Sequence, residues 1–149
     1  MGDGSQHDPE KTLTLPHLVK WVEMVTRAQT ERAMRGMAVS GSQLLALVLL
    51  RERGEATSAE LARMMQITPQ ALTSLLRPLR DQGYLTRRID EEHARRLPLS
   101  LTEKGQRILE QARSLSPAIE DALLADFSAD ERVTLKRLLA RLARQFDLK

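Results

Sequence analysis

The 149-residue chain is long enough for one domain with an appended element, and 42% of it is hydrophobic but only 3% aromatic, so aliphatic side chains must build its core. Charged residues make up 29% of the sequence, the formal net charge is +3, and the absence of cysteine excludes disulfides, thiol nucleophiles and cysteine-ligated metals. The longest strongly apolar run, residues 44–50, is too short to span a membrane, and no signal-peptide pattern precedes it, so we expect a cytoplasmic protein.

The first third of the chain predicts a lead-in and two helices. Residues 1–14 contain Gly, Asp, Ser and Pro without periodicity, which is typical of a disordered segment. Residues 16–35 place apolar side chains on one helical face. Ser40 is suited to cap a second helix over residues 41–53, and Gly54 then ends that helix in the usual C-terminal position.

Two shorter helices follow, joined by a tight turn. Residues 57–60, Thr-Ser-Ala-Glu, form a capping box that predicts a helix extending through Met65. Thr68, followed by a proline, begins the next helix, which is expected to stop at Gly83. Pro78 lies inside this helix and is expected to kink its last turn.

A hairpin and two amphipathic helices complete the chain. Residues 84–89 and 97–101 alternate as two short strands would, and Pro98 marks the second strand as an edge or bulged one. Thr102 opens a long helix, which the Ser116-Pro117 pair should kink or restart. A second capping box, residues 128–131, opens the last helix. The outer helices carry long apolar stripes that one protomer has little core to bury, which suggests a second subunit.

A helix-turn-helix followed by a β-hairpin is a winged helix-turn-helix, so the predicted fold is mainly α with a small β-hairpin wing. In such a fold the second helix presents short polar side chains to base edges in the major groove. The residues of that kind are Thr68, Gln70, Thr73 and Ser74. The arginines suited to phosphates beside that groove, or to a minor groove near the wing, are Arg77, Arg80, Arg87, Arg88 and Arg95.

The wing sequence TRRIDEEHARRLPLS, residues 86–100, has two interpretations. Arg95 lies near the predicted hairpin tip and could reach a phosphate or a minor groove, whereas charge runs are also typical of solvated loops. Neighbouring residues of a strand point to opposite faces, so only one arginine of Arg87-Arg88, and one of Arg95-Arg96, is expected to face DNA in the same way.

The run ELARMMQITPQALTSLLRPLRDQGYLTRRIDEEHARRLPLSLTEKG resembles the winged-helix core of the MarR family of bacterial transcription regulators. It is similar in the helix-turn-helix, in the DQGYLTR step into the wing and in the closing LTEKG, and the flanking helices extend the resemblance over residues 15–146. The resemblance implies an obligate homodimer that acts on the nucleoid. Such dimers bind a pseudo-palindromic operator in double-stranded DNA, usually as repressors that a small ligand or an oxidant releases.

This organisation divides the chain into four parts: a disordered lead-in, an N-terminal dimerisation helix, a DNA-binding core and C-terminal dimerisation helices, at residues 1–14, 15–39, 40–101 and 102–149. The sequence departs from the family pattern in three places. His93 stands where the wing commonly has an aspartate that holds the tip arginine; an acidic residue of 90–92 could replace it, or His93 could make wing order sensitive to pH. Pro78 leaves the pose of Arg80 open, and the lack of cysteine excludes the peroxide-sensing branch.

The first helix offers a candidate effector site. His17 and Trp21 lie one turn apart with Met24 beside them, and they could hold an aromatic carboxylate between the dimerisation helices and the winged core. Ordinary interface packing with a hydrogen-bonded histidine is the alternative. The three histidines are scattered, and we find no Gly-rich phosphate loop, nucleophile elbow or facing carboxylate pair, so we expect neither a metal or other cofactor nor an enzymatic activity.

A winged helix that binds protein rather than DNA is the alternative function. Such a module would need neither arginines on the wing nor small polar residues on the second helix. The salt dependence of duplex binding distinguishes the two functions. For a DNA binder the logarithm of duplex affinity falls linearly with the logarithm of salt concentration, whereas a protein-binding module shows little duplex affinity at any salt.

Overall fold

Helices make up most of the protein and a small antiparallel sheet joins them, in a computed structural model that describes residues 8–88 and 98–146. In chain order the elements are α1 (Pro9–Thr12), α2 (Leu15–Ala33), α3 (Gly41–Arg53), β1 (Glu55–Ala56), α4 (Ser58–Met64), α5 (Pro69–Asp81), β2 (Leu85–Arg87), β3 (Leu99–Leu101), α6 (Glu103–Leu123) and α7 (Ala129–Arg144). The predicted mainly α fold is confirmed.

Side-chain caps begin the helices where the sequence predicts them. Thr57 accepts the N–H of Glu60 at 3.2 Å, and its own N–H donates to the Glu60 carboxylate at 2.8 Å, which completes the predicted box. Ser128 and Glu131 form the same box at α7, where the Ser128 N–H, 2.8 Å from the carboxylate, holds the pKa of Glu131 below its ordinary value. The Thr68 hydroxyl caps α5 by accepting a backbone N–H at 3.1 Å.

The end of α5 is also where the sequence predicts it. Gly83 has a φ of +75°, a conformation that costs glycine little. Its N–H donates to the carbonyl of Arg80, and the N–H of Tyr84 donates to the carbonyl of Leu79, both at 2.9 Å. These two bonds form a Schellman turn, which satisfies carbonyls that the helix itself cannot and turns the chain toward β2.

The lead-in predicted to be disordered, residues 1–14, contains the one-turn helix α1. The Asp8 carboxylate accepts the N–H of Glu10 at 3.1 Å, and the Asp8 carbonyl accepts the hydroxyl of Thr12 at 3.2 Å. An aspartate cap starts this turn without any apolar periodicity, so the sequence pattern did not indicate it. Residues 1–7 lie outside the part of the chain that the structure describes.

The sheet has three strands in the order β1-β3-β2, all antiparallel, and not the predicted two. β1 is only two residues long, too short to show an alternating pattern in the sequence. Because β3 pairs on both sides, it is the central strand, and the prediction that Pro98 marks an edge or a bulge is wrong. Pro98 stands just before β3 and contributes only its carbonyl, which accepts the N–H of Arg88 at 2.9 Å.

Both internal prolines are tolerated within continuous helices. α6 runs through Ser116 and Pro117, so the predicted restart is not found. Proline has no N–H to donate to the carbonyl of Arg113, but Arg113 is exposed and water can reach it. α5 likewise continues past Pro78.

The core lies between α3, α4, α5, the sheet and the first half of α6. Its largest fully buried side chains are Leu47, Leu50, Leu61, Leu72, Leu79 and Leu99. By contrast, neither α2 nor α7 contains a buried residue in the protomer. Of the helices that the structure describes, none has the length and apolar character needed to cross a bilayer.

Candidate nucleic-acid interface

The turn between α4 and α5 fixes how the second helix of the motif leaves the first. Gln66 adopts a φ of +55°, the only positive φ of a non-glycine residue in 8–88 and 98–146. Its side-chain amide donates to the carbonyl of Arg63 at 3.0 Å, and the next N–H, that of Ile67, donates to the carbonyl of Ala62 at 3.1 Å. These two bonds back to α4 hold the left-handed turn, which the sequence did not indicate because glutamine rarely adopts this conformation.

The outer face of α5 brings four of the predicted residues together. Leu72, Leu76 and Leu79 are buried. The exposed residues at the spacing of one helical face are Gln70, Thr73, Ser74 and Arg77. We call these four side chains the α5 outer row. Their spacing of three and four residues aligns them along the helix and leaves them free of the core.

The hydroxyl groups of α5 are not equivalent. The Thr68 hydroxyl is engaged in the cap of α5. The Thr73 hydroxyl donates to the carbonyl of Pro69 at 2.9 Å, so its lone pairs remain able to accept a hydrogen bond from a base. In the described part of the chain, Gln70 and Ser74 have no side-chain hydrogen bond and keep both donor and acceptor capacity.

The two arginines of α5 differ in exposure. Arg77 is exposed and Arg80 is half-buried. Neither guanidinium lies within salt-bridge distance of a carboxylate among residues 8–88 and 98–146. Arg77, which continues the α5 outer row toward the C-terminal end of the helix, is therefore the better placed of the two to meet a phosphate.

The wing arginines that the structure describes lie on opposite faces of the sheet. Thr86, Ser100 and Glu55 stand side by side across the three strands, and Arg88 follows two residues after Thr86 on the same face. The Arg88 guanidinium is 3.5 Å from the Glu55 carboxylate, an exposed ion pair. Arg87 is exposed and points to the other face, with no salt bridge among the described residues.

The tip of the predicted hairpin lies outside the part of the chain that the structure describes. Arg95, Arg96, His93 and the acidic residues 90–92 lie outside the described residues. The expected contact of Arg95 with DNA and the expected role of His93 therefore remain as the sequence predicts them.

Contacts from neighbouring elements hold α5 in place, and the sequence did not indicate them. The side-chain amide of Gln43, on α3, donates to the carbonyl of Leu75 at 3.2 Å. The Thr102 hydroxyl and the Lys104 ammonium donate to two carbonyls just beyond the C-terminal end of α5, at 2.6 and 2.7 Å. The glycine at position 105, in the first turn of α6, is consistent with another backbone lying close to that turn, because glycine is the residue that allows a close backbone approach.

The predicted effector residues lie on α2, away from the cavity that the structure describes. His17, Trp21 and Met24 are all exposed, and the His17 ring is 2.9 Å from the Thr14 hydroxyl. A cavity of about 490 Å³ opens between another face of α2 and the start of α3, and none of these three residues lines it. No group of three or more His, Asp or Glu within the described ranges is arranged to hold a metal ion.

Comparison with known proteins identifies the class. The sequence model of the MarR family matches residues 39–96. The HTH-type transcriptional repressor Rv2887 of Mycobacterium tuberculosis is 30% identical over 128 residues, which are 86% of this chain and 92% of that protein. A structure of Rv2887 in complex with DNA has a TM-score of 0.72 at 29% identity, and covers 87% of this chain and 98% of that one. A structure of Rv2887 in complex with salicylic acid has a TM-score of 0.73 at 30% identity, and covers 87% and 96%.

The winged helix-turn-helix and these relatives define a DNA-binding transcriptional regulator. The chain belongs to the MarR family, as its sequence motifs predict. Membership of a family of transcription regulators favours DNA binding over the protein-binding winged helix that the sequence also allowed.

Replacing Arg77 with alanine should weaken duplex binding at every sequence and flatten the salt dependence by about one unit per protomer, because one phosphate contact is lost. Arg88→Ala should flatten it less, because Glu55 already compensates that charge. Fluorescence anisotropy across a salt series measures both slopes. Arg113→Ala, an equal change of charge on an exposed position of α6, is the control and should leave the slope unchanged. If the salt dependence of duplex affinity has the same slope for Arg77→Ala as for the parent protein, Arg77 does not contact a phosphate.

Proposed function

We propose that this regulator is a homodimer that represses transcription from a pseudo-palindromic operator and is released by a small aromatic acid. We place its action in the cytoplasm, on the nucleoid. The observation that carries the proposal is the α5 outer row. It presents three uncharged polar side chains and then an arginine on the face opposite the buried leucines. Hydrogen-bonding groups that reach base edges, followed by a cation for the flanking phosphate, are what reading a major groove requires.

In this proposal α5 is the recognition helix. Gln70, Thr73 and Ser74 occupy its first half, which is the part of a recognition helix that reaches base edges. Two copies related by a two-fold axis would enter successive major grooves about 34 Å apart. Arg87 and Arg95, on the wing, are then assigned to the flanking backbone or minor groove. The relative Rv2887, whose crystal structure is a complex with DNA, supports DNA as the partner.

The unburied apolar surface of the protomer supports a homodimer. Large hydrophobic side chains that are 38–67% exposed lie along α2, α7 and the start of α3, among them Val19, Val22, Val25, Leu45, Val133, Leu138, Leu139 and Leu142. Exposed apolar side chains along one side of a helix are typical of an interface, because a partner that covers them removes them from water. We therefore assign residues 15–39 and 102–149 to dimerisation, around a DNA-binding core at residues 40–101.

The cavity between α2 and α3 offers a surface that a partner could cover. Apolar side chains, Val19, Val22 and Leu45, line it together with Glu23 and Glu31. On α7 the exposed apolar residues Leu138, Leu139 and Leu142 share one side of the helix, and Arg137, Arg141 and Arg144 lie on the other side. The apolar side of a partner's α7 would cover the apolar residues of the cavity and leave these arginines in water.

Leu139→Glu should convert the dimer into a monomer, because it places a charge in the middle of the apolar stripe of α7. Operator affinity should fall with it, since a monomer engages only one half-site. Sedimentation equilibrium measures the mass. Thr134→Glu introduces the same charge on the side of α7 that carries Arg137 and should remain dimeric. A parent protein that is monomeric at micromolar concentration, or a Leu139→Glu variant that stays dimeric, would contradict the proposed interface.

The proposed effector is a small aromatic acid, as the relative crystallised with salicylic acid suggests. The cavity between α2 and α3 suits an anion poorly. Two carboxylates line it beside Arg27, and a hydrogen bond from Lys20 lowers the pKa of Glu23. We therefore assign the effector to His17, Trp21 and Met24, with the partner subunit completing the site. The effector binds more tightly to the conformation of the dimer in which the spacing of the two recognition helices does not match the operator. Its binding therefore lowers the affinity of the dimer for DNA.

Salicylate should release the parent protein from its operator, and Trp21→Ala should weaken that response at least tenfold because the aromatic contact is lost. Titration of salicylate into the protein–DNA complex, followed by anisotropy, measures the release. Arg27→Ala, in the cavity between α2 and α3, is the matched control and should respond like the parent. If salicylate releases Trp21→Ala from the operator as readily as it releases the parent, the effector does not bind to this face of α2.

A further inference from the structure

The beginning of α6 is bonded to the segment that leaves the recognition helix. The Lys104 ammonium donates to the carbonyl of Gln82 at 2.7 Å, and the Thr102 hydroxyl donates to the carbonyl of Gly83 at 2.6 Å. The backbone N–H of Thr102 donates to the carbonyl of Tyr84 at 3.1 Å. Three consecutive carbonyls are thus each held by α6 or its cap, and we call these five residues the α5–α6 clasp.

The chemistry of the clasp explains its residue types. The carbonyls at the C-terminal end of a helix lack intrahelical donors and carry partial negative charge, so a lysine ammonium is a favourable partner there. The Lys104 ammonium also lies 5.1 Å from the centre of the Tyr84 ring, a cation–π distance. Two partners therefore fix the position of an otherwise flexible side chain.

Glycine 105 brings the two backbones into direct contact. A Cβ atom at this position would overlap the backbone carbonyl oxygen of Tyr84 and press on the Leu101 side chain. Gly105 is buried, and the Thr102 hydroxyl also accepts its N–H at 3.0 Å. The first turn of α6 therefore rests on the exit of α5 without a side chain between them.

The other end of α6 leads into the helices assigned to the dimer. α6 has 21 residues in one continuous helix and is about 31 Å long at 1.5 Å per residue. Its first half is anchored in the core by Ile108, Leu109 and Ala112, and beyond it the Arg132 guanidinium of α7 donates to Asp121 at 2.7 Å and to the carbonyl of Leu124 at 2.6 Å. A single stiff element thus connects the exit of the recognition helix to α7.

We propose that Lys104 and Thr102 are positioning residues that set the angle of α5 relative to the dimer, and through it the half-site spacing that the protein accepts. The proposal rests on the dimeric DNA-binding function proposed above. A small change of angle at the clasp moves the α5 outer row of each protomer relative to that of its partner. The clasp therefore selects between operators that differ only in the distance between half-sites, without touching a base.

The test uses duplexes selected from a random library by the parent protein, remade with the half-sites one base pair closer and one base pair farther apart. The parent should prefer the selected spacing. Lys104→Met keeps the length of the side chain but removes the ammonium. Its affinity for the selected spacing should fall about tenfold, the size expected for one charge-assisted hydrogen bond, while its affinity for the altered spacings changes little. Lys104→Arg should restore the preference.

Controls separate positioning from direct contact. Arg107→Met removes a charge one turn along α6, from a side chain paired with Glu103 at 3.0 Å, and should keep the parent's preference. If Lys104→Met weakens all spacings equally and flattens the salt slope by one unit per protomer, Lys104 contacts phosphate directly and the inference is wrong. Retained preference in both Lys104→Met and Thr102→Val would also overturn it. A parent that selects no duplex would instead overturn the proposed DNA-binding function, and the inference with it.

Discussion

The contact between the first turn of α6 and the carbonyl of Tyr84 is the constraint on which the remaining arrangement depends. It requires glycine at position 105, because any Cβ would overlap that carbonyl. Gly83 turns the chain out of α5 directly before it, and Thr102 both caps α6 and bonds to this turn. The helices α5 and α6 and the sheet therefore meet at one point, and none of them can rotate without breaking bonds to the other two.

Burial determines which side of α5 faces outward. Leu72, Leu76 and Leu79 are each 3% exposed or less, and burying a leucine side chain is worth roughly 1.5–3 kcal/mol. Turning the helix by one residue would expose these leucines and bury polar groups, so the α5 outer row is a consequence of the core. The side chains that we assign to DNA recognition thus lie on a rigid helix. Its buried leucines hold it in the core, and hydrogen bonds from α3 and α6 hold it from the sides.

The sequence predicts best what short local patterns determine. The caps at Thr57, Thr68 and Ser128 and the polar face of α5 follow from residues a few positions apart, and the family motifs agree with them. β1 was missed because two residues show no periodicity, and the left-handed turn at Gln66 was missed because glutamine rarely adopts a positive φ. The ion pair between Arg88 and β1 and the bonds from α6 to the exit of α5 join residues far apart in the chain, which no local pattern reveals.

The central claim, that α5 enters two successive major grooves as part of a dimer, can be measured directly because the chain has no cysteine. An iron chelate attached through Gln70→Cys, on the α5 outer row, should cut a bound operator at two clusters about ten base pairs apart, one per recognition helix. The same chelate at Arg113→Cys, on α6, should leave those two clusters uncut. Bound DNA that position 70 does not cut, or cuts in one place only, would contradict the account.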